Sequence, residues 1–178
     1  MLINERKIRH EAAMEIARRM MVAARTAPKG KGVDIIEAAA ATDEEIRLLS
    51  GKMKEIAQET GMHFFLRDAE NILSAEVVVL IGTRQQVQGL DCAYCGFPTC
   101  ARKPQETPCA INAIDVGIAV GSACSVAANS RADTRVMFSA GMAAQRLDLL
   151  EGCRQVIAIP VSISSKNPFF DRKPQETR

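Results

Sequence analysis

The sequence predicts an α+β fold in which helices pack on one mixed or mostly antiparallel sheet. Apolar residues recur at helical spacing in residues 5–26 and 42–61, whereas other segments are short runs rich in β-branched residues. These segments do not alternate strictly, as they would in a parallel βαβ architecture. With 178 residues, 47% of them hydrophobic, the chain is long enough for a real core, and we expect residues 1–178 to form a single domain.

The first helix is predicted over residues 5–26. Its apolar face consists of four side chains at helical spacing, namely Ala13, Ala17, Met20 and Ala24. Pro28 and Gly30 end the pattern, because both residues favour a turn over a continued helix. The segment VDIIEAAAA then begins with β-branched residues and is predicted to form a strand.

A second helix is predicted to begin at Thr42. Thr42 and Glu45 have the spacing of a capping box, in which each side chain bonds to the other residue's backbone N–H. Apolar residues then continue at helical spacing until Gly61 supplies a C-terminal stop. A short strand, HFFL at 63–66, and a helical turn around 68–74 are expected next.

The segment EVVVLIGT is predicted to be a strand covered on both faces, because its apolar residues do not alternate with polar ones. Behind the cysteine-rich stretch, AINAIDVGIAVGSACSVAANS is predicted to be a core helix, with small residues at Gly117 and Gly121. We expect this helix to be buried around its whole circumference. Its length and its early Asp115 argue against a membrane span.

The last elements are a strand over TRVMFS, a helix near 140–150 and a strand over QVIAIPVSIS. Pro160 interrupts the final strand and has no backbone N–H to donate. It therefore predicts that this strand lies at a sheet edge or contains a bulge.

The charge pattern argues against two classes of partner. The net charge is +2, and acidic and basic residues are interleaved, so neither nucleic acid nor a membrane surface is expected to bind. The N-terminus lacks the apolar core of a signal peptide, and the longest aliphatic run, VVVLI at 77–81, is too short to span a bilayer. We therefore expect a cytoplasmic protein, in which clustered cysteines are metal ligands or redox groups rather than disulfides.

Four of the six cysteines lie in one short stretch, with the spacing Cys92-x2-Cys95-x4-Cys100-x8-Cys109. Two thiolates three residues apart can reach one metal centre, and the longer gaps allow the loop to supply two more ligands. Both an iron–sulfur cluster and a structural zinc ion accept four cysteines. The spacing favours the cluster, because zinc modules usually pair two short knuckles.

The residues around the cysteines also favour a cluster. Gly96 follows the second cysteine, where backbone N–H groups could turn toward inorganic sulfide, and Pro108 stiffens the approach to the fourth. Four neighbouring side chains are expected to exclude water, namely Leu90, Tyr94, Phe97 and Pro98. Cys124 and Cys153 lie outside the stretch and are expected to be small buried residues without a metal role.

The stretch CAYCGFPTC resembles the CxxCGxxxxC signature of ferredoxin-type [4Fe–4S] proteins. Together with PCAINAIDVGIAVGSA, TRVMFSAG and PVSISSKNPFFDR, it resembles a bacterial and archaeal family of ferredoxin-domain-containing proteins. This resemblance implies one [4Fe–4S] cluster on Cys92, Cys95, Cys100 and Cys109, with a role in electron transfer or as a redox centre. A redox partner protein or a small-molecule electron acceptor would then be required.

A second resemblance concerns both ends of the chain. ARTAPKGKG and the closing NPFFDR are similar to segments of flavin-dependent nitroreductases. This resemblance implies a nitroreductase-like fold, a homodimer and FMN as a further cofactor. By position, four cations become candidates for binding the flavin phosphate, namely Arg25, Lys29, Lys31 and Arg172.

Three functional hypotheses follow from these patterns: a [4Fe–4S] electron-transfer protein, a flavin oxidoreductase that also carries the cluster, and a zinc-stapled interaction module. The sequence contains no catalytic triad pattern, Walker loop, dinucleotide fingerprint or HExxH pair, so hydrolase and nucleotide-driven activities have no motif to support them.

Overall fold

The computed structural model describes residues 1–170 of the chain. Its helices are α1 (Glu5–Thr26), α2 (Asp43–Thr60), α3 (Phe64–Ile72), α4 (Ala110–Asn129) and α5 (Phe138–Arg146). Its strands are β1 (Ile36–Ala41), β2 (Val77–Arg84), β3 (Asp133–Thr134) and β4 (Cys153–Ser162). Single 3-10 turns cover Gly30–Gly32 and Cys100–Arg102.

The four strands form one antiparallel sheet in the order β1-β2-β4-β3. β2 lies inside this sheet, and its Val79 is opposite Ala40 of β1 and Ile159 of β4. The predicted α+β class, with helices on an antiparallel sheet, is confirmed.

Alternate residues of β2 enter two separate cores, because successive side chains of a strand point to opposite faces. Val77, Val79 and Ile81 pack with α1 and α4 on one face. Val78 and Leu80 pack on the other face, where α2, α3 and α5 lie. Complete burial of each such side chain is worth about 1.5–3 kcal/mol, which explains why this strand shows no polar alternation.

Helix α1 has the bounds and the apolar face that its sequence predicts. Asn4 caps its N-terminus, since the Asn4 side chain accepts the N–H of Arg6 at 3.0 Å. All four predicted core residues of this helix are fully buried, namely Ala13, Ala17, Met20 and Ala24. The helix ends two residues before Pro28.

Helix α2 begins after Thr42 and ends at Gly61, which has a φ of 71° as a left-handed C-cap requires. The predicted capping box does not form, because the Thr42 side chain makes no cap hydrogen bond. Three acidic residues in the first turn, from Asp43 to Glu45, instead favour the positive end of the helix dipole.

The predicted HFFL strand is wrong, since Phe64–Ile72 is helix α3. Phe65, Ala69 and Ile72 are fully buried, and their spacing of four and three residues places them on one helical face. Burial of this face outweighs the preference of adjacent phenylalanines for strands.

Helix α4 is not buried all round, contrary to the sequence expectation. Ala119, Ala123 and Ala127 are fully buried against the sheet and α1, but Ile114 and Ile118 are 50% and 41% exposed. By length and composition alone, this helix could cross a membrane. Its buried face packs as in a core helix, and the close α1–α4 contact depends on the alanine spacing.

The C-terminal region differs from its prediction in two details. β3 contains Thr134 but not the rest of TRVMFS, since Phe138 already begins α5. β4 is an inner strand, so the predicted edge position is wrong. The predicted alternative, a bulge, does occur in β4, but opposite Gly82 rather than at Pro160. Pro160 is tolerated in β4 because β3 spans only two residues, and beyond it the pairing continues only as an isolated bridge between Met137 and Ala158.

Candidate functional site

Residues 85–109 connect the buried strand β2 to the buried helix α4 and contain all four candidate ligands. Cys92, Cys95, Cys100 and Cys109 line one small pocket. Cys109 is the N-cap residue of α4, so it is attached directly to a core helix. The fold therefore brings the four cysteines to a common pocket, and their role as metal ligands stays a prediction.

Tight turns shape the cysteine loop between its first and third cysteines. Gly96 has a φ of +86°, and its N–H donates to the carbonyl of Ala93 at 2.9 Å. The N–H of Cys100 donates to the side chain of Asp91 at 2.6 Å. Because Asp91 precedes the first cysteine, this bond closes the loop around Cys92 and Cys95.

The pocket is partly shielded from water. Cys92 is exposed, and the other three candidate ligands are half-buried. Leu90 and Phe97 line the pocket as expected, together with Ile111 of α4. Tyr94 and Pro98 do not line it, and Tyr94 is 74% exposed, so the predicted shielding by these two side chains is absent from the structure.

Within residues 1–170, no three His, Cys, Asp or Glu side chains lie close enough together to hold one metal ion. In a [4Fe–4S] cluster each cysteine binds a different iron atom, so the sulfur atoms need not converge on a single point. Four thiols that line one pocket match such a cluster in ligand type and number.

Two buried amides support the cysteine pocket and were not identified from the sequence. Gln88 lines the pocket, is only 5% exposed and donates through Nε2 to Oδ1 of Asn112 at 3.0 Å. Asn112 in turn donates to the carbonyl of Gln86 at 2.6 Å, which fixes its orientation. The Oε1 atom of Gln88 is buried without a partner in the described chain. No sequence motif marks this pair, which only the fold brings together.

Asp115 does more than interact with the dipole of α4, as its position near the start of this helix suggests. Its carboxylate is 3% exposed, and both oxygen atoms accept the N–H of Gly30 at 3.0 Å. It therefore ties the turn after α1 to the helix that carries Cys109, in addition to lying near the helix N-terminus.

The Arg25 guanidinium, proposed for a flavin phosphate, already has protein partners. It donates to Asp34 at 2.8 Å, to the carbonyl of Ile36 at 2.6 Å and to Glu37 at 3.5 Å. The bond to Asp34 raises the pKa of Arg25 above its ordinary value. For Asp34, burial acts to raise the pKa, but Arg25, the Ile36 N–H and the charge of Lys29 outweigh it and lower the pKa.

The other candidate phosphate ligands are also engaged or lie outside the described residues. The amine of Lys29 is 5% exposed and donates to the carbonyls of Ala24 at 3.0 Å, Ala27 at 2.8 Å and Arg25. It therefore caps the C-terminus of α1. Lys31 donates to the carbonyl of Gln88 at 3.2 Å.

Arg172 falls outside residues 1–170, so its placement stays a prediction. The three cations that the structure describes do not fit an open phosphate cradle, because a phosphate would have to displace their present partners.

Of the two remaining cysteines, only Cys153 is buried as expected, since Cys124 is half-buried. Cys153 is buried, and burial raises the pKa of its thiol. Burial likewise raises the pKa of Cys124, against a smaller opposing effect of a hydrogen bond with Thr134. Both side chains are thus protonated at neutral pH, whereas metal binding requires the thiolate.

A larger cavity of about 570 Å³ adjoins the cysteine pocket. We call it the side pocket. It lies between the end of β2, the segment 103–109 and the start of β4. The two cavities share Val87, Lys103 and Cys109 as lining residues.

The fold is similar to those of several solved flavoproteins. A nitroreductase with bound FMN from Desulfitobacterium hafniense superposes with a TM-score of 0.58 at 14% identity, over 92% of this chain and 86% of that one. A BluB-like flavoprotein from Clostridium difficile gives 0.54 at 17% identity, over 92% and 85% of the two chains. The nitroreductase-like fold expected from the sequence is therefore confirmed.

Sequence relatives point to a second group. Residues 105–172 match a family model described as an uncharacterized protein containing a ferredoxin domain, DUF2148; this segment includes Cys109 but not the other three candidate ligands. A protein of Archaeoglobus fulgidus, described only as uncharacterized, is 38% identical over 99% of this chain and all of its own length. With these matches, the chain belongs to the family of proteins described as containing a ferredoxin domain.

Proposed function

We propose that this protein binds one [4Fe–4S] cluster through Cys92, Cys95, Cys100 and Cys109 and functions in electron transfer. The observation that carries this proposal is that all four thiols line one pocket. The ferredoxin-domain family supports the same chemistry. When bound, the cluster would supply a one-electron redox centre.

The protein's own residues would hold the cluster and set its surroundings. The bond from the Cys100 N–H to Asp91 keeps the loop closed around the first two ligands. The apolar side chains of Leu90, Phe97 and Ile111 reduce water access on one side of the pocket. Burial and hydrogen bonding are the main influences on the potential of such a centre.

The exposure of Cys92 suggests how electrons would reach the site. One ligand is open to solvent while the others are half-buried, so a partner could approach this side closely. A cytoplasmic redox protein or a small-molecule electron acceptor is the expected partner. Outer-sphere transfer requires close approach but no open coordination position.

The test is metal analysis of protein purified without oxygen. We expect about four iron atoms and four sulfides per chain, and a brown colour that dithionite bleaches. Cys100→Ala should lose the cluster, whereas the matched variant Cys124→Ala should keep it. A colourless protein with one zinc ion would replace the proposal with the zinc-stapled module.

A flavin oxidoreductase is the second candidate, because the solved proteins of similar fold include FMN-bound nitroreductases. In this chain Arg25, Lys29 and Lys31 are already engaged, so FMN binding would need other contacts. Titration with FMN, followed by the quenching of its fluorescence, tests this candidate. No saturable binding up to millimolar protein would remove it. Light scattering would report the expected homodimer independently.

A further inference from the structure

We propose that the side pocket binds a small ligand with an oxyanion group, a carboxylate or a phosphate, next to Cys109. The cavity volume of about 570 Å³ lies within the usual range for small-molecule sites, about 300–1,000 Å³. Because Cys109 lines both cavities, this ligand would lie beside the fourth cysteine of the candidate cluster. A redox role for this ligand rests on the proposed cluster function, whereas its binding in the side pocket does not.

The charges on the pocket wall favour an anion. Lys103 and Arg154 line the cavity, and neither makes an ion pair with a carboxylate of residues 1–170. Arg84 also lines it but is paired with Glu37. Glu106 is the single acidic residue among the lining side chains that the structure describes. Lys103 and Arg154 therefore leave an excess of positive charge.

Each of these two cations donates to backbone carbonyls and retains further N–H donors for a ligand. The Lys103 amine donates to the carbonyls of Pro104 at 3.0 Å and Thr107. The Arg154 guanidinium donates through one nitrogen to the carbonyl of Cys153 at 3.0 Å. A guanidinium has five N–H donors, so most of those on Arg154 remain for a carboxylate or phosphate.

A bulge in β4 brings two consecutive residues to this cavity. Thr83 is opposite Arg154 and Ile81 is opposite Ile157, so Gly82 faces two residues of β4. Gln155 in this bulge has a φ of 52°, which is strained for a residue with a side chain. In a regular strand Arg154 and Gln155 would point to opposite faces, whereas here both line the side pocket.

The start of α4 adds a further positive contribution. Its N-cap residue Cys109 and Asn112 of its first turn line the cavity. The helix has 20 residues, no acidic residue in its first turn and no side-chain cap on its N-terminus. The helix dipole at such an end favours an anion.

Several amide side chains on the pocket wall offer hydrogen bonds to the part of the ligand beyond its anionic group. Four glutamines on the wall make no side-chain hydrogen bond within the described part of the chain, namely Gln86, Gln105, Gln145 and Gln155. Each offers both a donor and an acceptor. The pocket therefore suits a polar ligand with an anionic group rather than an apolar one.

Calorimetric titration of the purified protein with pyrophosphate and, separately, with succinate tests this proposal. We expect saturable binding of at least one probe, and the preferred probe identifies a phosphate or a carboxylate as the ligand group. Binding should weaken at high salt. Arg154→Gln and Lys103→Gln should each weaken it about tenfold, since each removes hydrogen bonds from a charged donor.

Arg6→Gln is the matched control, because it makes the same charge change on α1, away from the cavity, and should leave affinity unchanged. Equal affinity in Arg154→Gln and the unaltered protein would overturn the proposal, as would no binding of either probe. Parallel titrations of iron-loaded and metal-free samples separate the two proposals. Binding by a chain that never takes up iron would leave the side pocket assigned and remove only the cluster.

Discussion

Both carboxylate oxygens of Asp115 lie 3.0 Å from the backbone nitrogen of Gly30, 85 residues away in the sequence. This contact joins the turn after α1 to the first half of α4. The next residue, Lys31, donates to the carbonyl of Gln88, which lines the cysteine pocket. The turn after α1 is thus fastened at two adjacent points.

Replacing Asp115 should therefore destabilise the protein. Asp115→Ala leaves the half-buried N–H of Gly30 without its acceptor and should cost about 1–3 kcal/mol of unfolding free energy. Asp115→Asn keeps one acceptor oxygen and should cost less. Urea unfolding of the three proteins measures the difference. Equal stability of the alanine variant and the unaltered protein would show that water replaces the carboxylate without loss.

Gly141→Ala should be more damaging than its position inside a helix suggests. A Cβ atom on Gly141 would lie 2.1 Å from the carbonyl oxygen of Val156, so α5 would have to move away from β4. Overpacking against backbone costs about 1–3 kcal/mol or more. Thermal unfolding measures this loss.

Gly51→Ala is the matched control for that variant. Gly51 lies on an exposed part of α2 with open space around its Cβ direction. Alanine there should stabilise the helix by about 0.5–1 kcal/mol. If both variants were equally stable, the close packing of α5 on β4 would not be present in solution.

The ion pair between Arg25 and Asp34 should add stability only above the acid range. The pKa of Asp34 is lowered from its ordinary value of 3.8, so the folded state binds fewer protons than the unfolded state as pH falls. The contribution is present above pH 4 and is lost as pH falls through the folded-state pKa. Because the pair is partly exposed, it is worth about 0.5 kcal/mol.

Asp34→Asn should accordingly reduce unfolding free energy slightly at pH 7 and not at pH 2. Denaturation midpoints across this range, compared with those of the unaltered protein, measure the effect. A stability difference that is independent of pH would point to lost packing or to the bond with the Ile36 N–H rather than to the charge.

Cysteine alkylation should separate the six thiols into two groups. In metal-free protein, iodoacetamide should label the exposed or half-buried Cys92, Cys95, Cys100 and Cys109. Cys153 should react only after unfolding, because it is buried and burial raises the pKa of its thiol. Half-buried Cys124 should react more slowly than the first group, because burial raises the pKa of its thiol as well. Mass spectrometry of digested protein locates the labels. Iron loading should protect the first group, and labelling of native Cys153 would contradict its observed burial.

Long periodic segments were predictable because burial of one face leaves a repeated pattern in the sequence. The faces of α1 and α2 have this property. β2 was recognised from an uninterrupted apolar run instead, because both of its faces are buried. HFFL was too short to separate a helix from a strand, and only contacts with other elements decided for α3.

The clustering of the four cysteines around one pocket follows from their local spacing, but the surroundings of that pocket were not predictable. Gln88 and Asn112 are 24 residues apart and meet only because β2 and α4 are neighbours. The bulge at Gln155 and the side pocket likewise depend on the pairing of β2 with β4. Such long-range arrangements leave no periodic signal in one sequence.

Cys109 differs from its three companions in how it is anchored. It begins a helix whose buried face belongs to the core, whereas Cys92, Cys95 and Cys100 lie on a loop that the core does not contain. Cluster assembly would then require the loop with Cys92, Cys95 and Cys100 to fold onto Cys109, whose position the core already fixes. Chelation should expose the segment between residues 85 and 108 to proteases, and cleavage there should leave two resistant fragments, held together by the pairing of β2 with β4.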